Sequence, residues 1–150
     1  MNIERLRALR ERILTVDSRQ FSMMNWIRDS EVIGMTTNGE WAVSADCGTS
    51  ACLAGWTCIM WPLTVTLEGS GEKVEVPLLG SVCSPRQRAM ELLELDDEQA
   101  DALFEPWNED LRNRRLTGIS SARQVTREWA ARVIDRLIET GIVDWDAVRP

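Results

Sequence analysis

The sequence predicts an α+β fold that is mainly helical, with about five helices around a buried central helix over 49–60 and one or two small β-hairpins. Three observations carry this. The stretch Asp46 to Trp56 concentrates cysteine, glycine, alanine and a tryptophan, as a helix packed close to its neighbours would. Apolar residues recur at three- and four-residue spacing in 3–16 and 125–138. Short alternating runs flank an Asn-Gly pair and a Gly-Ser-Gly turn. At 150 residues and 44% hydrophobic content, one domain over 1–150 is expected.

The elements follow in chain order. Ile3, Leu6, Leu9, Ile13 and Val16 form the stripe of an amphipathic helix over 3–15, with arginine and glutamate elsewhere. Phe21 to Ile27, with Met23, Met24 and Trp26, predicts a short packed helix. Asn38-Gly39 predicts a hairpin in which Thr36 and Thr37 face Trp41 to Val43. Gly48 then permits a tight turn, and Thr49 or Ser50 caps the central helix. Ala51, Ala54 and Gly55 leave room for another backbone, and Pro62 stops the helix. Leu63–Leu67 and Lys73–Val76 alternate across Gly69-Ser70-Gly71 and read as a second hairpin, able to share a sheet with the first.

Ser84-Pro85-Arg86-Gln87 has the cap, the early proline and the Gln of a helix start, for a helix reaching about Leu95. Asp96 to Gln99 repeats the pattern for a helix ending near Phe104. Residues 105–120 read as a surface loop. Ser121 to Thr140 reads as the clearest helix, closed by Gly141, with one short turn at Asp144-Trp145.

Composition limits the chemistry. The chain has no histidine, which removes Ser-His-Asp and Cys-His hydrolysis and the mixed Cys/His zinc sites. A net charge of -7 argues against general nucleic-acid binding and suits a basic partner. The start at Met1 has no apolar leader and no run reaches membrane-spanning length, so a cytoplasmic protein with reduced thiols and no membrane partner is expected. No cofactor-binding pattern is present.

The cysteines Cys47, Cys52, Cys58 and Cys83 are spaced by four, five and 24 intervening residues, unlike the paired short knuckles of structural zinc sites. They read as buried filler, with a zinc site or a regulatory thiol at Cys47 as the alternative. Asp96, Asp97, Glu98 and Asp101 read as helix-start residues and lack the order of a calcium loop. The same acidic residues speak against a DNA-reading helix pair; DNA binding or DNA mimicry is the weakest alternative. Trp107, between Pro106 and Asn108, and the basic Arg112, Arg114 and Arg115 are the candidate partner contacts. The expected function is therefore non-catalytic: an accessory protein that binds another protein, with self-association also admissible.

The segment Cys47-Gly48-Thr49-x-x-Cys52-x-Ala54-Gly55-Trp56 resembles one in small, mostly uncharacterised proteins of actinobacteria and their phages. Leu93 to Phe104 resembles their Leu-x-Leu-x-x-x-Gln-Ala-x-x-Leu-Phe segment, and a long C-terminal helix follows in both. The resemblance covers roughly two thirds of the chain and leaves out the 63–76 hairpin. It implies a phage or prophage origin, suited to modulating a host component, and carries no activity with it.

Overall fold

The computed structural model describes residues 1–28, 31–45, 49–79, 84–107, 119 and 121–150. Helix α1 (Ile3–Thr15) starts where the Asn2 side chain accepts the Arg5 amide at 3.1 Å. Leu6, Leu9 and Ile13 are fully buried, while Ile3 at the end of the stripe is exposed. Helix α5 (Arg127–Thr140) lies against α1, and the Arg10 guanidinium joins Asp135 at 2.8 Å across the pair. Both ions are over a third exposed, so this pair adds little to stability.

Helix α2 (Leu53–Met60) sits in the middle, against α1, α3 (Pro85–Leu93) and α4 (Asp97–Phe104). Every residue from Leu53 to Cys58 is buried. The central helix is thus present but shorter than 49–60. Thr49 and Ser50 do not cap it: Ser50–Ala51 is a strand, β4, paired antiparallel with β1 (Ile27–Arg28). The cap is Cys52, whose sulfur accepts the Gly55 amide at 3.5 Å. Tertiary pairing explains the shift. The Ser22 amide donates to the Ala51 carbonyl at 3.1 Å and the Cys52 amide to the Asn25 carbonyl at 2.9 Å. Backbone groups held sideways by 22–28 are unavailable to a helix along 49–52.

The same pairing overrides the helix expected over 21–27. Phe21 bridges Ala51, residues 23–24 turn, and β1 follows. Gly55 is what lets this segment lie so close. A Cβ at residue 55 would stand 1.7 Å from the Trp26 carbonyl oxygen and 2.8 Å from the Ala51 Cβ.

Both hairpins form, in separate sheets. Strands β2 (Val32–Met35) and β3 (Trp41–Val43) pair antiparallel around the Asn38-Gly39 turn, where Gly39 has φ +79°. The paired strand is therefore 32–35; Thr36 and Thr37 belong to the turn side. Strands β5 (Leu63–Thr66) and β6 (Lys73–Val76) pair in full register. Strand β7 (Leu78–Leu79) adds to β3, giving the order β2-β3-β7, which no local signal announced. The bridge from Thr36 to Leu67 links the two hairpins, with the Thr37 amide donating to the Thr66 carbonyl at 3.1 Å and the Glu68 amide to the Met35 carbonyl at 2.7 Å.

Ser84 caps α3 with Pro85 in its first turn, and Asp96 with Gln99 closes a full capping box on α4. Arg86 of α3 ties the two helices together: its Nε donates to Asp101 at 2.7 Å and its Nη2 to Asp97 at 3.3 Å. α5 begins at Arg127 under a Thr126 cap, later than Ser121, because 122–124 is a short 3-10 turn. Gly141 ends it with φ +74°. Trp145, expected in a last short turn, is 1% exposed. Its Nε1 donates to the Ala102 carbonyl at 2.7 Å, and the Trp129 Nε1 donates to the Trp145 carbonyl at 2.9 Å. The two rings meet edge to face at 5.7 Å.

Gly55→Ala is expected to lower the free energy of unfolding by about 3 kcal/mol in urea titration, as overpacking against a fixed backbone does. Gly141→Ala, open on all sides but at positive φ, should cost only about 1 kcal/mol.

Candidate functional site

The residues singled out by the sequence divide into those around the α2 N-terminus and those near the end of α4. Cys47, Gly48, Cys83, Arg112, Arg114 and Arg115 lie outside the described residues.

Thr49, Cys52, Gly55 and Trp56 are all buried. They form an internal seam. The Cys52 thiol reaches toward the Trp26 carbonyl at 3.9 Å, and Trp56 donates from Nε1 to the Gln20 carbonyl at 3.1 Å. The Arg12 guanidinium covers the Trp56 ring at 5.0 Å from its centroid. Burial pushes the Cys52 thiol up to about 11, with the Glu105 charge adding to the rise and the Gly55 and Ala54 amides opposing it. A thiol held protonated at neutral pH is a poor nucleophile. Cys58, also buried, points its sulfur to the Pro85 carbonyl at 3.7 Å on a different element from the one Cys52 meets. Among the described residues no three Cys, Asp or Glu side chains gather as a metal-binding group.

Trp107 is half-buried and packs against the core edge. It lines a cleft of about 220 Å³ with Met23, Met24, Trp26, Phe104 and Glu105. The lining of the cleft comes from segment 23–26 and from the end of α4, with Glu105 and Trp107 just beyond it. Phe104 and Met23 floor the cleft from the core, and Met24 is exposed at the rim. Of this set Trp107 is the residue that the sequence offers as a partner contact. Trp26 and Glu105 reach the site through folding alone.

A second surface feature is the outer face of the β2-β3-β7 sheet. Paired residues of an antiparallel ladder share a face, as do residues two apart on one strand. Met35 pairs with Trp41 and Val32 with Val43, so these four project to one side. Ala42, fully buried, projects to the other with its partners Gly34 and Leu79. Ile33 sits at the register shift between Val32 and Gly34. Val32 is 61% exposed, Trp41 51% and Ile33 40%. An alternation at 41–43 was the available signal: it places Trp41 opposite buried Ala42, but does not say which face is covered.

Comparisons with protein-family models, with curated proteins and with solved structures return no match to this chain.

In the native protein, iodoacetamide at pH 8 should leave Cys52 and Cys58 unlabelled until urea unfolds the chain, as peptide mapping by mass spectrometry would read. The raised Cys52 pKa also sets a pH dependence. Below pH about 9 the thiol is neutral in both states; between about 9 and 11 it ionises only in the unfolded chain. Stability attributable to Cys52 should therefore fall as pH rises through that window, and Cys52→Ala should flatten that part of the decline in urea midpoint.

Proposed function

We propose that this protein is a non-catalytic accessory protein that acts by binding another protein. The observation that carries the reading is the outer sheet face. Val32 and Trp41 project from one side of the sheet, each more than half exposed, and Ile33 is exposed at the adjoining register shift. Contiguous apolar surface of this kind costs solvation free energy, about 25 cal/mol per Å² of exposed apolar area, and marks a contact surface when it persists. A half-exposed tryptophan on a rigid strand supplies large contact area with little entropy to lose on docking. The net charge of -7 favours a partner with a basic rim around its apolar patch, and raises its rate of encounter.

The absence of histidine and the protonated Cys52 support a non-catalytic role. We place the protein in the cytoplasm as part of this reading; no helix among the described residues is long and apolar enough to cross a membrane. The motif resemblance supports a phage or prophage origin, with a host protein as the target. Self-association through the same face is the competing form of the reading.

Trp41→Ser should be tolerated by the fold, within about 1 kcal/mol, because the side chain is half in water. Bait protein cross-linked in an actinobacterial lysate should retain a defined protein at wild type and lose it at least about tenfold with Trp41→Ser or Val32→Ser. Sedimentation equilibrium on the same variants reads self-association. Identical capture by wild type and both variants, with a monomer throughout, would overturn the reading.

A further inference from the structure

Three of the seven tryptophans are covered by arginine. Trp56, Trp61 and Trp129 each carry an arginine guanidinium over the ring, from Arg12, Arg5 and Arg149, at 5.0, 5.5 and 5.6 Å. Trp26, Trp41, Trp107 and Trp145 carry none among the described residues, and of these Trp26 and Trp107 line one cleft together with Glu105. No hydrogen bond or ion pair engages the Glu105 side chain among the described residues. Its backbone is occupied, the amide donating to the Asp101 carbonyl at 2.9 Å as α4 ends. Glu105 lines the same cleft as Trp26, whose carbonyl the Cys52 thiol approaches at 3.9 Å.

The rim of the cleft already receives a guanidinium. Arg123 places its Nε 3.2 Å from the Met24 sulfur, from across the chain. Aromatic faces, thioether sulfur and one unpaired carboxylate together form an environment for a planar, weakly hydrated cation. A lysine ammonium, strongly hydrated and compact, gains less from flat indole faces than a guanidinium does. A cleft of about 220 Å³ suits one side-chain head.

We propose that the Trp26–Glu105–Trp107 cleft binds an arginine side chain presented by a protein partner. The inference rests on the protein-binding reading above, but it uses a different set of residues from the sheet face. Glu105 supplies the charge-assisted hydrogen bond, and the two indoles supply stacking surface and keep water from the carboxylate. The acidic chain as a whole favours a basic partner in the same sense.

The test is calorimetric titration of the full chain with acetyl-Gly-Gly-Arg-Gly-Gly-amide, with the isosteric neutral citrulline peptide alongside. Saturable binding of the arginine peptide is expected, weaker by at least about tenfold for citrulline, for Glu105→Gln and for Trp107→Ala. Glu105→Gln keeps size and the backbone cap, so circular dichroism and its urea midpoint should match wild type; Trp107→Phe serves if Trp107→Ala does not fold. Wild type that fails to bind, equal affinity for citrulline, or unchanged affinity in Glu105→Gln would each overturn the proposal. An arginine peptide that binds only after Arg112, Arg114 and Arg115 are all replaced by Gln would overturn it too, because the chain would then fill its own cleft. Trp41→Ser separates the two readings: it should leave peptide affinity unchanged. Trp41-dependent capture without peptide binding would overturn this inference alone, and peptide binding without Trp41-dependent capture would overturn only the sheet-face reading.

Discussion

The approach of the Trp26 carbonyl to Gly55 is the constraint on which the rest of the molecule depends. Only a residue without a side chain admits a backbone oxygen where a Cβ would otherwise stand. With that contact made, segment 20–28 can lie across the start of α2 and exchange backbone hydrogen bonds with 51–52. Those bonds hold 49–51 extended, move the helix start to Leu53 and bring Cys52 into the capping position. A thiol is a weak acceptor for this task. It is compatible with the site because the surroundings are apolar and the Cys52 amide is already satisfied elsewhere.

The helices close around this seam by a small number of directed contacts. α1 and α5 present matched apolar stripes, and Trp145 extends the core beyond the end of α5 by donating to a carbonyl near the end of α4. Each buried indole nitrogen on this side finds a backbone carbonyl, so the aromatic groups contribute area without leaving a donor unmet. Gln99 does the same at longer range, reaching the Gly141 carbonyl at 2.9 Å after closing its own capping box. Arginine covers the buried Trp56 and Trp129 and the half-buried Trp61, its aliphatic stem packing and its head staying near water. This habit makes the uncovered indoles of the cleft and the sheet stand apart chemically.

Several elements were legible without coordinates because their signals are local. Caps at Ser84 and Asp96, the Asn38-Gly39 turn, the Gly141 stop and the stripes of α1 and α5 depend on residues a few positions apart. Phe21 to Ile27 misled because aromatic and methionine-rich segments pack equally well as helix or as irregular chain. Thr49 and Ser50 misled because good capping residues were present, while the hydrogen bonds that decided the matter came from residues more than twenty positions away. The cleft was visible only as Trp107; Trp26 lies 81 positions earlier and Glu105 resembled any other residue after a helix.

Sequence alone determined the class of fold, the extents of α1, α3 and α4 to within two residues, the two hairpins and the burial of the Cys52–Trp56 core segment, because periodicity, turn chemistry and side-chain volume act over a few residues. Tertiary structure decided where α2 begins, that β7 joins β3, that Trp145 is core, and which tryptophans stay uncovered. Those outcomes turn on backbone groups and surfaces that meet only after the chain has closed on itself, where a carbonyl such as that of Trp26 can select one arrangement over another that local preference ranks equally.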